Sequence, residues 1–72
     1  MENKVEHGIY HGSSGQQLWW IRFYFGDDDL MHDVCEWAVN TIGDYTSKWW
    51  LEGRFMYFIN EQDWLLFRMA WL

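Results

Sequence analysis

A single cysteine, Cys35, stands among the 72 residues, so no internal disulfide can staple the fold. Basic residues are scarce too. Five Lys and Arg face eleven Asp and Glu, for a net charge of −6. A general electrostatic attraction to nucleic acid or anionic lipid is therefore not expected from net charge. No stretch reaches the ~20 apolar residues of a membrane span. Residues 1–15 are polar and lack the apolar run of a signal peptide, and the lone thiol suits a reducing compartment. These absences lead to the expectation of a cytoplasmic protein with no membrane partner. Glycine-rich phosphate loops, nucleophile elbows and paired-His metalloprotease motifs are also missing. So short a chain has little room for a closed pocket, and the reading is of a protein that is not an enzyme and needs no cofactor.

Aromatic residues are what the chain has in excess. Seven Trp, four Tyr and five Phe make up 22% of a sequence near the lower size limit for a stable single core. Each ring can bury roughly 150–250 Å², so the rings take over the stabilising role of disulfides or metals. A chain this short cannot cover them all, and some are expected at the surface or in an interface.

The densest stretch is Gln17 to Phe25, QLWWIRFYF, with no Gly or Pro to break it. Bulky flat side chains suit a pleated surface, so the stretch reads as a strand. Alternation puts Trp19, Ile21, Phe23 and Phe25 on one face, all apolar and expected in the core. Leu18, Trp20, Arg22 and Tyr24 share the other face, which mixes rings with a cation.

Residues 1–16 hold little hydrophobic periodicity and several glycines, and read as a flexible lead-in with room for a short edge strand near Ile9 and Tyr10. After Gly26, the run Asp27–Asp29 suits a helix start through capping and the helix dipole. Leu30, Val34, Trp37 and Thr41, beside Met31, Cys35, Ala38 and Ile42, form a stripe at helical spacing, and Gly43 is placed to end it. Tyr45 to Leu51 reads as a second strand. Glu52-Gly53 then turns into a third, Arg54 to Ile59, making an antiparallel hairpin. The helical crossover makes the first two strands parallel in direction. From Asn60 onward both periods fit. Trp64, Phe67 and Trp71 share a helical side, and the same residues also alternate; the capping signal at Asn60 favours a helix. The expected fold is α+β: an open three-stranded sheet with helices on one face, in the order β-α-β-β-α, partial ferredoxin-like, within a single domain over residues 17–72.

The C-terminal third, Phe55 to Trp71, resembles small accessory proteins of tailed bacteriophages. Those end in an aromatic strand, an acidic pair around a short turn, then Asp, a few apolar residues, Phe, a spaced apolar residue and Trp. Phe58, Asn60, Glu61, Asp63, Phe67, Met69 and Trp71 match, whereas Trp64 stands where Ala is usual and Ala70 where a basic residue is usual. The resemblance covers about a quarter of the chain. It implies no particular activity, only a phage accessory protein; the expected function is to bind and modulate a host or defence protein through an exposed aromatic surface.

If helices cover one sheet face, the other carries Trp20, Arg22 and Tyr24, then Lys48 and Trp50 from the second strand. The third strand adds Arg54, Met56 and Phe58, or else Phe55, Tyr57 and Ile59. Trp20, Arg22, Tyr24, Lys48, Trp50 and Arg54 are the expected contact residues. Rings beside cations on an open sheet suit single-stranded RNA or DNA, whose bases stack while phosphates pair. The same residue types dominate protein interfaces, including those of a homodimer. The net negative charge favours protein contact. A metal reading has less behind it: His32 and Cys35 offer two zinc ligands where a structural site needs about four. His7 and His11 lie among glycines, and Asp27–Asp29 diverge in direction and are better read as capping.

Overall fold

The structure, a computed structural model, describes residues 5–72. Gln17–Phe23 forms a strand, as its aromatic and β-branched content demands, but it has a partner on each side. The first partner is β1, Val5–His11, which pairs antiparallel with β2, Gln17–Phe23. Much of the stretch expected as a lead-in is therefore an ordered strand, and the sheet has four strands, not three. Its signal was masked because β1 carries only Val5 and Ile9 as aliphatic residues and has Gly8 at its centre. The part of that expectation falling on residues 1–4 lies outside the described residues.

Helix α1 spans Asp28–Thr41 and is followed by β3, Trp49–Glu52, β4, Phe55–Phe58, and α2, Glu61–Trp71. The strand order is β1-β2-β4-β3, antiparallel throughout, so β2 and β3 run in the same direction with β4 between them. The class is α+β, and the final segment is helix. Asp27 and Asn60 occupy the two N-cap positions, yet neither side chain makes a capping hydrogen bond. The acidic first turns, Asp28 and Asp29 in α1 and Glu61 and Asp63 in α2, still suit the helix dipoles. Gly43 ends α1 with φ of 149° and donates to the Ala38 carbonyl at 3.0 Å. The turn of the second hairpin is Gly53-Arg54, one residue later than expected. Only Gly53 has positive φ (63°), as a II′ turn requires.

Two ββα halves meet at the β2–β4 pair. The Ile21–Met56 pair lies at the centre of that ladder, and a two-fold there superposes Phe23 on Phe58 and Val5 on Trp49. All six are buried. The helices follow suit: Val34 and Phe67 each lie six residues past the helix start and both are buried. Both helices cover the same sheet face, because Val34, Ala38, Trp64 and Phe67 join these strand residues in one core. Trp37 sits edge-on to Phe67 and Trp71, at 6.3 Å from each, and fills the seam between the helices. Phe25, expected in the core, is 94% exposed. The strand ends at Phe23, so the alternation that would have turned Phe25 inward no longer applies.

Candidate functional site

The sheet face away from the helices is built by the register. Directly opposite residues share a face, so Trp20 of β2 lies between Gly8 of β1 and Tyr57 of β4, and Tyr57 lies opposite Trp50 of β3. Phe55 stands beside Tyr57 along β4. The rings form a connected band across three strands. Trp20 meets Phe55 edge-on at 5.7 Å, Phe55 stacks on Tyr57 at 6.1 Å, and Tyr57 stacks on Trp50 at 5.4 Å. All four are half-buried. Tyr10, Leu18, Trp50, Glu52 and Tyr57 line a shallow depression of about 320 Å³ at one end of the band. Burial, then the Glu52 carboxylate and the Tyr10 phenol, push the Tyr57 phenol above its ordinary value.

Trp20, Arg22 and Trp50 are where alternation put them. Arg22 is opposite Glu6 on β1 and pairs with it at 3.3 Å, both side chains being roughly half exposed. Its charge is therefore already answered within the molecule. Tyr24 lies beyond the end of β2, and its carbonyl accepts a hydrogen bond from Arg54. Lys48 precedes β3 in a turn, with Cδ 4.0 Å from where a Cβ on Gly43 would stand, so it belongs to the end of α1 and not to the ring band.

Arg54 is the clearest correction. It sits in the β3–β4 turn and reaches back to the β2–α1 connection. Nε donates to the Phe23 carbonyl at 3.2 Å, and a terminal nitrogen donates to the Tyr24 carbonyl at 2.6 Å and to Asp28 Oδ1 at 2.9 Å. Its guanidinium also lies 5.6 Å from the centre of the Phe25 ring. This is a clamp between the two halves, and it uses up the cation. Of the two options for β4, the outward residues are Phe55 and Tyr57; Met56 and Phe58 are buried. A two-residue turn already fixes that parity once Trp50 is taken as outward. Glu6, Tyr10 and Glu52 were not legible as face residues, because their placement depends on β1 and on the exact turn.

Outside this face, His32, Asp33 and Glu36 bring one ligand atom each within 4.8 Å of one another on the exposed side of α1. Cys35 turns the other way, half-buried, and burial raises its thiol above the ordinary value. His32 and Cys35 thus do not form a pair. His7 packs edge-on to Trp64 at 5.8 Å. Among the described residues, no helix is long and apolar enough to cross a membrane. No family model, curated protein or solved structure matches the chain.

Proposed function

We propose that this chain is a non-enzymatic interaction protein that binds another protein through the open face of its sheet. The observation that carries this reading is the ring band Trp20–Phe55–Tyr57–Trp50, which the helices leave uncovered. Large rings held half-buried by one another lose little further freedom on docking, which is why Trp and Tyr anchor protein interfaces.

The polar groups around the band decide between partners. A phosphate backbone needs unpaired cations along the ring platform. Here Arg22 is matched by Glu6, Arg54 is held in its clamp, Lys48 lies off the face, and Glu52 adds a negative charge. The face suits a protein that offers an apolar projection flanked by Lys or Arg. The C-terminal resemblance supports a host or defence protein as that partner, met in the host cytoplasm.

The test is capture of a partner from host lysate by the tagged chain, with single-stranded RNA titrated in parallel at two salt concentrations. Trp50→Ala and Tyr57→Ala should abolish capture while Lys48→Ala leaves it intact. RNA binding that fades with salt and maps to the same rings would replace this reading with a nucleic-acid one.

A further inference from the structure

Every strand of this sheet has an unambiguous hydrogen-bonding side, and the two outer edges differ. The Gly12 N–H donates to the Gln16 carbonyl at 2.7 Å. By antiparallel alternation, the even residues of β1 therefore bond to β2. Val5, His7, Ile9 and His11 turn their N–H and C=O groups outward. No partner for these groups occurs among the described residues. At the opposite edge, Ile59 N–H donates to the Lys48 carbonyl at 3.1 Å, so Trp49 and Leu51 are the outward residues of β3. That edge is closed. Thr46 N–H donates to the Trp49 carbonyl at 2.7 Å, and the Tyr45 hydroxyl bridges the N–H and C=O of Leu51 at 3.4 and 3.2 Å.

The open edge has little protection, its one charged residue, Glu6, being paired with Arg22 of β2. β1 is seven residues long against four for β3, and contains no Lys or Pro. An apolar helix surface runs beside it. Leu65, Leu66 and Met69 are exposed on α2, Met69 at 82%, and Leu72 just past its end is exposed too. Leu65, Met69 and Leu72, with Arg68, share a groove of about 530 Å³ with His7 of β1. Edge and groove therefore adjoin on one side of the molecule.

We infer that this side is the interface of a two-fold homodimer, in which β1 pairs antiparallel with β1 of a second copy and α2 packs against α2 above the joined sheet. The register that uses all four outward residues sets Gly8 opposite Gly8, His7 opposite Ile9 and Val5 opposite His11, and makes about eight backbone hydrogen bonds. It is symmetric, as a C2 contact must be. An edge about 24 Å long, under a helix layer about 10 Å above the sheet, corresponds to roughly 500–700 Å² per chain, at the lower bound of specific interfaces. An extended peptide could pair with β1 but would leave the α2 surface bare; a second copy covers both. Because Tyr45 and Thr46 close the β3 edge, pairing stops at two chains instead of growing into a fibre. The ring band is left free on the other face of an eight-stranded sheet, so the dimer presents two bands side by side.

The experiment is sedimentation equilibrium of the full chain at roughly 10–100 µM, where concentration governs the dimer population. Two substitutions probe the two parts of the contact. Ile9→Pro removes an outward N–H that no internal bond uses, a placement that edge strands tolerate. Met69→Asp puts a carboxylate into the helix contact at a position the single chain leaves exposed, so it tests the interface even if Ile9→Pro disturbs the strand. The expected result is twice the mass of one chain, with dissociation raised roughly tenfold or more by each substitution and unaltered by Trp50→Ala. A mass of one chain throughout overturns the inference. So does a dimer that survives both substitutions, or one that Trp50→Ala dissociates.

Discussion

Gly8 carries the indole of Trp20 on its α-carbon: a Cβ built on Gly8 would lie 2.8 Å from Cζ2 of that ring and 3.0 Å from Cε2. The glycine has no positive φ, so alanine fits the backbone, and what it meets is the ring. Gly8→Ala should therefore push Trp20 off β1 and break its edge-on contact with Phe55. Overpacking costs roughly 1–3 kcal/mol, partly offset by the roughly 0.4–1 kcal/mol gained from a stiffer unfolded chain. A net loss of about 1 kcal/mol in urea denaturation is expected, with a shifted Trp20 indole N–H resonance and weaker partner capture. An unmoved indole resonance would show that the ring does not rest on Gly8.

Arg54 joins the halves and should matter for stability more than for binding. Arg54→Ala removes hydrogen bonds to the Phe23 and Tyr24 carbonyls and the contact with Asp28. Asp28 is mostly exposed, so the ion pair itself adds little. The loss should be roughly 1–2 kcal/mol, mainly from the Phe23 carbonyl left without a donor, because the Tyr24 carbonyl keeps the Asp27 N–H at 3.1 Å. Urea denaturation measures it. Partner capture by the folded variant should be unchanged, and a capture defect at full stability would return Arg54 to the contact surface.

Tyr57 reports on the ring band through its proton. Its phenol sits above the ordinary value of 10.0, first because of burial and then because of Glu52 and Tyr10. The folded state therefore holds this proton more tightly than the unfolded chain does. That stability is fully present below the unfolded value and is lost as pH rises from there through the folded one. An ultraviolet phenolate titration should show one tyrosine ionising later than the rest. Glu52→Gln should bring it down only part of the way, because burial is the larger cause. A complete return to the ordinary value would mean that the ring is more exposed than the stacking on Trp50 allows.

Cys35 should be a poor nucleophile. Its thiol is half-buried against the core and its ionisation is pushed up by burial. Reaction with a thiol reagent at neutral pH should be slower in the folded chain than in urea. Equal rates would place the side chain on the solvent side of α1.

How much of this was readable in the residues follows from where the signals are local. The stripe from Leu30 to Ile42, with the acidic start before it, predicts a helix over about Asp28 to Ile42, within a residue of the observed Asp28–Thr41, because helical contacts repeat at fixed short spacings. Asn60 and the acidic turn after it resolve the ambiguous end as helix, although the Asn side chain makes no capping bond. Phe58 and Phe67 in the phage-like pattern are buried, and Trp71 packs against the core, so those positions hold the fold together. What stayed hidden is non-local. β1 is recognisable only through its pairing with β2, since His7, Gly8 and His11 read as tail residues on their own. Arg54 and Lys48 look like face cations by alternation, but the turn occupied by one and the helix end beside the other take them elsewhere. The two ββα halves are hard to see in sequence, because one shared residue, Phe23 and Phe58, stands among equivalent positions that differ, such as Val5 against Trp49 and Ile21 against Met56.

The closed β3 edge gives a last, separable prediction. Thr46 adopts φ of 74°, a left-handed conformation that costs a β-branched residue roughly 1–2 kcal/mol. The chain tolerates that strain where it brings Thr46 N–H and the Tyr45 hydroxyl onto the outward groups of Trp49 and Leu51. Tyr45→Phe keeps the ring edge-on to Trp49, 5.2 Å away, but strips the hydroxyl from Leu51. Stability should fall by roughly 0.5–1.5 kcal/mol. The larger effect should be on assembly, because both sheet edges then offer unpaired groups and growth no longer ends at two chains. Light scattering across a concentration series should show species larger than a dimer for Tyr45→Phe, and none when Ile9→Pro is added. If Tyr45→Phe keeps the parent's mass at every concentration, the Thr46 N–H and the shortness of β3 are enough to close that edge, and the hydroxyl serves stability alone.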